Sequence, residues 1–357
     1  MRAHALFRAG DDARRPPTRR RLFAATLLGL LAALPVAARA QAPEQKSIEI
    51  WAVRDPQEAA AIALAKELDY YKAEGLDVTV KWIVSGTDMP SLVASGQINF
   101  AGESVTTAAI LRDKGIDIRY VMPTANIAGT QCIVLGPNTR LASPKDLEGK
   151  KIGMAAGSGV AIAIRNMAKQ YGVDYGRLTF VNLQPPDQAP ALARGDIDAM
   201  AVWQPWALAG MSLGGKLYFT GNRSYIDGTP KPVNWMYLDA GLNVPAAYLK
   251  QNPNTVKAVM RALIKAIAYI NNNPIEKSAA LISKPLNVPE ADLVPIMKQN
   301  IYSAVVDQTI IEGATELLTY GADPKIGWFG KAFAPKELYD LTLLKQIAPD
   351  MVKVSGY

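Results

Sequence analysis

Ala193-Arg194-Gly195-Asp196-Ile197-Asp198-Ala199-Met200 repeats the pattern of Ala94-Ser95-Gly96-Gln97-Ile98-Asn99-Phe100-Ala101, 99 residues earlier. In each copy a helix ends at glycine, the residue that takes a left-handed C-terminal turn without a Cβ penalty. Each then feeds a strand through isoleucine and a short polar side chain. The separation is too long for a solenoid repeat. It describes two lobes built on one α/β plan.

The flanking sequence extends that plan. Around the first copy, alternation and turn residues predict strands at 48–53, 77–84, 98–101 and 118–122. Helices are predicted at 59–71, 90–94 and 106–114, with Gly75 and Gly115 as stops. Around the second copy, Ser143-Pro144-Lys145-Asp146-Leu147 opens a helical turn. Strands follow at 151–154, 178–183 and 199–203, and helices at 158–171 and 189–193. A regular β-α-β-α order implies mainly parallel sheets with helices on their faces. From Asn252, a capping residue followed by Pro253, the chain turns helical. Val256, Val259, Met260, Leu263, Ile267 and Ile270 recur at helical spacing. Further helices are expected near 275–283, 289–301, 307–319 and 335–346, packed back on the first lobe. The expected division is residues 44–127 with 237–357 as lobe 1, and 128–236 as lobe 2.

The 357 residues carry a formal charge of +7, one Cys and one His. Residues 1–40 read as an export signal: an arginine-rich start, an apolar run from Leu22 to Ala38, and the small-x-small site Ala38-Arg39-Ala40. Arg20-Arg21-Leu22-Phe23 also fits the twin-arginine route, so both export routes stay open. Eight Arg and two Asp place +6 of the charge in this segment, leaving +1 after it. That balance argues against nucleic acid as a partner. His4 lies in the same segment, so the exported chain has no histidine for base catalysis or metal binding. Cys132, in the apolar run Cys132-Ile133-Val134-Leu135, reads as a buried structural thiol. No later apolar stretch reaches the ~18 residues of a membrane span. A soluble, periplasmic, monomeric protein without metal or cofactor is expected.

In parallel α/β sheets, ligands bind beyond the carboxyl ends of the strands. That rule selects Arg54 to Gln57, Ser85 to Asp88, Gly102 to Ser104 and Thr124 to Asn126 in the first lobe. In the second it selects Ala156 to Gly159, Gln184 to Asp187 and Trp203 to Trp206. If the lobes face each other, all seven segments line one cleft. Gly157-Ser158-Gly159 precedes a helix, so its backbone N–H groups suit either an anionic oxygen or a plain helix cap. Ser85-Gly86 offers the same anion-binding N–H groups from the other lobe. Arg54 is either a ligand-binding fork of donors or a solvated charge. Trp203 either packs on an organic ligand or belongs to the core. Glu103 either caps a helix or, beside Ser104, meets an amine or hydroxyl on the ligand. Asn126 and Asp187 complete the candidate set. Gly157-x-Gly159 is not a dinucleotide fingerprint, because Ile162 stands where the third glycine belongs. Asp196 and Asp198 read as turn residues rather than an acid/base pair.

These residues resemble the solute-binding proteins of ABC importers, in the family for nitrate, sulfonates and taurine. The likeness runs from about Ile48 to Ala332 and is carried by Glu74 to Val78, Leu92 to Phe100, Leu147 to Gly153 and Ala193 to Trp206. It implies a type II periplasmic-binding-protein fold, two α/β lobes with the ligand between them. It also implies delivery to a membrane permease with a cytoplasmic ATPase. By position it implies ligand contact for Ser85, Gly86, Glu103, Ser104, Gly157, Ser158 and Trp203. Two departures, Trp51-Ala52-Val53-Arg54-Asp55 after the first strand and Gln204 after Trp203, leave the ligand's identity open. The resulting expectation is a non-catalytic carrier of a small organic anion such as a sulfonate, a taurine-like molecule or a carboxylate. The alternatives are an enzyme on the same fold, a lyase or a pyrimidine-related protein, and a ligand sensor presenting itself to a membrane receptor.

Overall fold

The structure, a computed structural model, describes residues 41–357; the expected export signal, its cleavage site at Ala40 and the twin-arginine motif lie outside the described residues. The first lobe opens with β1 (Ser47–Val53), β2 (Asp77–Ile83), β3 (Ala101–Ser104) and β4 (Ile118–Asn126). β1 runs parallel to β2 and β3, with Ile50 opposite Val80 and Trp51 opposite Ala101. Between these strands lie α1 (Ala60–Glu67), α2 (Tyr70–Ala73), α3 (Met89–Ala94) and α4 (Val105–Asp113). The single helix expected at 59–71 is two helices, because Asp69 takes a left-handed conformation with φ +55°, one that aspartate tolerates better than most residues. The strand expected at 98–101 begins only at Ala101. Ile98 and Phe100 are buried, which produces the alternating pattern before the backbone joins the sheet.

The second lobe contains β5 (Gln131–Leu135), β6 (Lys151–Met154), β7 (Thr179–Asn182), β8 (Ala199–Trp203), β9 (Lys216–Thr220), β10 (Arg223–Ser224) and β11 (Lys231–Pro232). Its helices are α5 (Val160–Tyr171), α6 (Pro185–Arg194) and α7 (Trp206–Ser212). The chain then returns to the first sheet as β12 (Asp239–Pro245), and β13 (Ile301–Tyr302) closes that sheet's edge. The sheet orders are β13-β4-β12-β3-β1-β2 and β11-β10-β9-β5-β8-β6-β7. Each holds a parallel trio, β2-β1-β3 or β7-β6-β8, flanked by an antiparallel strand, β12 or β5. The expectation of mainly parallel sheets is therefore corrected to mixed ones. β5 and β12 are the first strands after the chain crosses between lobes, so each enters its sheet from the opposite end. β3 and β8, the strands that follow the two sequence copies, occupy equivalent places in the two trios. The glycines that precede them, Gly96 and Gly195, have φ of +76° and +80°.

The remaining chain forms α8 (Ala246–Gln251), α9 (Pro253–Asn272), α10 (Ile275–Leu286), α11 (Glu290–Met297), α12 (Gln308–Gly321), α13 (Pro335–Leu338) and α14 (Thr342–Ile347). α9 buries the six apolar residues its spacing singled out and lies against α1 and α2. Its cap is not the Asn252 side chain. The Glu44 carboxylate accepts from the N–H of Asn254 at 3.0 Å and of Thr255 at 2.7 Å. Glu74 also receives Arg261 Nε at 2.6 Å and Lys265 Nζ at 2.7 Å, tying the end of α2 to α9. The expectation that the late helices pack on the first lobe needs one amendment. α12 rests on α4, but Asn166 Nδ2 donates to Glu316 Oε1 at 2.6 Å. The hydroxyls of Tyr175 and Tyr320 also meet at 2.7 Å, so α12 bridges to the second lobe.

Candidate functional site

Between the two sheets, beyond the carboxyl ends of β1, β3 and β8, lies a cavity of about 160 Å³. One wall includes Glu58, Gly86, Glu103 and Ser104, and the other Gly157, Ser158 and Trp203.

Glu103 lies near the end of β3, directly before α4, so its carboxylate sits at a helix N-terminus where negative charge is favoured. Its Oε2 accepts from Ser104 N at 3.0 Å and Thr107 Oγ1 at 3.0 Å. Its Oε1 is buried and receives no N–H or hydroxyl donor, while a side-chain hydrogen bond joins Glu103 to Glu58. Gly86 makes room for that oxygen: a Cβ there would stand 1.9 Å from Oε1. Glu58, just ahead of α1, is half-buried with its Oε2 shielded and likewise without an N–H or hydroxyl donor. Asp55 supports the same corner, its Oδ1 accepting from Glu58 N at 2.9 Å and Gln57 N at 3.1 Å. Burial pushes the Asp55 carboxyl up to about 7, and the Glu103 charge adds to the push against its hydrogen bonds. Burial likewise holds Glu58 well above the usual carboxylate range, reinforced by Glu103 and Asp55. Glu103 is also raised by burial, and its hydrogen bonds offset only part of that. Neighbouring carboxyls in a dry corner oppose each other's ionisation.

The opposite wall is rich in donors. Gly157 is left-handed, with φ +81° and open space where a Cβ would be. It leads through Ser158 and Gly159 into α5, where Ala161 N already donates to Ser158 O at 3.3 Å and Ile162 N to Gly159 O at 3.1 Å. Ser158 Oγ and Trp203 Nε1 are buried without partners; the indole has only 7% of its surface exposed. Among the described residues lining the cavity, the one cation is Lys114, just past α4.

Of the expected set, Gly86, Glu103, Ser104, Gly157, Ser158, Gly159 and Trp203 thus come together. The other four stand elsewhere. Ser85 is buried behind the wall, its Oγ 2.8 Å from Thr87 Oγ1, capping the turn Gly86–Asp88. The exposed Arg54 turns away from the cavity and donates from Nε to Pro285 O at 3.0 Å. Asn126 accepts from Ala128 N at 3.0 Å and borders a separate cavity with Tyr237 and Asp239. Asp187 is in the first turn of α6, outside this wall. Gln57, in the segment selected after the first strand, lines the cavity, and so do Glu58, Thr107 and Gln131, which were missed. The strand-end rule stops at the strand, whereas these residues lie up to one helical turn beyond it or on the neighbouring antiparallel strand. Asp196 accepts from Arg194 Nε within the turn at 2.8 Å, whereas Asp198 accepts from Lys151 N at the start of β6 at 2.9 Å. Cys132 is buried in β5, and burial pushes its thiol up to about 12.

Residues 57–277 match the family described as NMT1/THI5 like. A relative from Escherichia coli (strain K12), the taurine-binding periplasmic protein, is 26% identical over 260 residues, covering 71% of this chain and 78% of the relative. The periplasmic aliphatic sulphonate binding protein SsuA from Escherichia coli superposes with a TM-score of 0.67 at 17% identity, covering 83% of this chain and 92% of that one. The desulfurization enzyme DSZB, at a TM-score of 0.62 and 13% identity, covers 86% of this chain and 99% of its own. The fold is that of the periplasmic binding proteins, and it also carries an enzyme.

Proposed function

Because this chain belongs to the NMT1/THI5-like family, we propose that it is the solute-binding component of an ABC importer. In this reading it carries a small organic molecule with an anionic group to a membrane permease driven by a cytoplasmic ATPase. One observation carries the reading. Two α/β lobes, here read as residues 44–127 with 237–357 and residues 128–236, turn buried polar atoms with hydrogen-bonding capacity to spare towards one cavity: Glu103 Oε1 from one side, Ser158 Oγ and Trp203 Nε1 from the other. Such atoms cost free energy when left unsatisfied, and a ligand spanning the lobes satisfies all three. The ligand thereby favours the closed arrangement by its differential contacts. The taurine- and sulphonate-binding names of the relatives support a sulfonate as the anionic group.

Catalysis is not part of this reading. The described residues contain no histidine, and the thiol of Cys132 is buried and protonated. The reading extends to export into the periplasm through residues 1–40.

The deciding experiment is native mass spectrometry of the protein isolated from a periplasmic fraction, alongside thermal shift with a panel of sulfonates, carboxylates and nitrate. A retained or stabilising small solute, released chemically unchanged, is expected. No bound solute and no shift across the panel overturns the binding reading, and turnover of the solute overturns the carrier reading in favour of an enzyme.

A further inference from the structure

A cavity with two carboxyls in its wall can take an anion only if that wall sheds negative charge. Glu58 and Glu103 both line the cavity. Glu58 Oε2 and Glu103 Oε1 are shielded and receive no N–H or hydroxyl donor, yet a hydrogen bond joins the two side chains. Ionised carboxylates only accept, so a bond between two carboxyls requires a proton on one of them. Resting on the solute-binding reading above, we propose that the cavity is also a proton-binding site: Glu58 and Glu103 share one proton, and the anionic solute binds together with it.

The surroundings decide which carboxyl carries the proton. Glu103 Oε2 accepts from Ser104 N and Thr107 Oγ1, both at 3.0 Å, at the start of α4, where negative charge is favoured. Glu58 Oε2 has no such donor. The proton therefore rests on Glu58, which donates to Glu103, and the pair carries one negative charge instead of two. The other charged and titratable neighbours leave this arrangement in place. Asp55 stands behind the pair, its Oδ1 accepting from Glu58 N at 2.9 Å, and like charge there opposes a second ionisation. Tyr302, beside Asp55, donates to Pro56 O at 2.9 Å. Tyr120 is fully buried, and burial keeps its phenol protonated. Lys114 is the one cation in the lining, and the second lobe adds no titratable side chain to it among the described residues. That lobe instead supplies Ser158 Oγ and Trp203 Nε1, on side chains 4% and 7% exposed. An anion held there strengthens the grip of the facing pair on its proton. By reciprocity the proton strengthens the grip on the anion by the same factor. When rising pH removes the proton, the wall becomes doubly negative and affinity for the anion falls.

The test uses methanesulfonate, propane-1-sulfonate and acetate, anions without an ionisable nitrogen. Isothermal titration calorimetry on the purified protein, in two buffers of different ionisation heat, is expected to show net proton uptake on binding. Affinity is expected to be at least tenfold lower at pH 8 than at pH 6. Glu58→Gln keeps a donor towards Glu103 without a titratable proton, so it should hold the pH 6 affinity at pH 8 and abolish the uptake. Glu103→Gln should abolish the uptake as well. Infrared spectroscopy of the unliganded protein at pH 7 should show a protonated-carboxyl band that Glu58→Gln diminishes. A merely structural carboxyl would shift the melting temperature and leave uptake and band unchanged. Binding heats independent of buffer, affinity that rises with pH, uptake retained in both variants, or a band untouched by Glu58→Gln overturns the proposal. An anion that binds without proton uptake sinks the shared proton and spares the carrier. Binding by none of the three anions, with no small solute released in native mass spectrometry, sinks both.

Discussion

Gly86 and Glu103 touch across two segments that the chain brings together from 17 positions apart. Gly86→Ala puts a methyl where Glu103 Oε1 now stands, so the carboxylate must leave its position or the Gly86 turn must move. Overpacking of this kind typically costs ~1–3 kcal/mol. We expect a melting temperature several degrees lower and ligand affinity down at least tenfold, read by calorimetry on the variant. Trp203→Ala belongs to the same scale. It removes both an indole face and the unpartnered Nε1, so affinity should fall while the protein stays folded by circular dichroism; unchanged affinity would take Trp203 out of the site. Sequence reasoning reached Trp203 and Glu103 because each falls at a strand's end. It chose Arg54 for its charge, yet that side chain bonds to Pro285 O. A residue type suited to a ligand says nothing of where its long side chain finds a closer acceptor.

The start of α9 shows how an element's ends depend on distant sequence. Asn252 and Pro253 announce a helix there, and the helix forms, but Glu44 supplies the cap from 210 residues away. Burial raises the Glu44 carboxyl, while the N–H groups of Asn254 and Thr255 outweigh it and hold the group below its usual range. Loss of a capping side chain typically costs ~1 kcal/mol. Glu44→Ala should therefore lower the denaturant midpoint by that equivalent without changing ligand affinity, as equilibrium urea unfolding would show. The apolar face of α9 was legible, because a period of 3.6 is a property of the sequence. The cap was not, because the two partners meet only after folding.

At the scale of the whole molecule, the described residues form one unit from Ala42 to Tyr357 whose stability is tied to buried acids. Burial pushes Asp55 up to about 7 and Asp239 up to about 8, from 3.8. A carboxyl with a folded-state value above its unfolded one binds more protons when folded. Its stabilising proton is fully present below about pH 4 and is lost as pH rises towards 8. Glu44 and Glu74, held below their usual range, act oppositely, and their contribution fades as pH falls through the acid range. Scanning calorimetry of the unliganded protein should thus give a higher melting temperature at pH 5 than at pH 8, and Asp55→Asn should shrink the difference. A flat profile across that range would contradict the buried, charge-crowded corner described above.

Periodicity, turn residues and the repeated Gly-x-Ile-x pattern determined the alternation of strands and helices and the presence of two similar lobes, since these depend on neighbours a few residues apart. The same local signals placed the strand ends where the site was sought. Tertiary structure alone decided that β5 and β12 run against their neighbours, that α12 bridges the lobes, and that Glu58 joins Glu103 while Arg54 and Asn126 point elsewhere. Strand direction depends on which end of a sheet the chain enters. The side chains that share a cavity are chosen by three-dimensional packing, which has no period in the sequence.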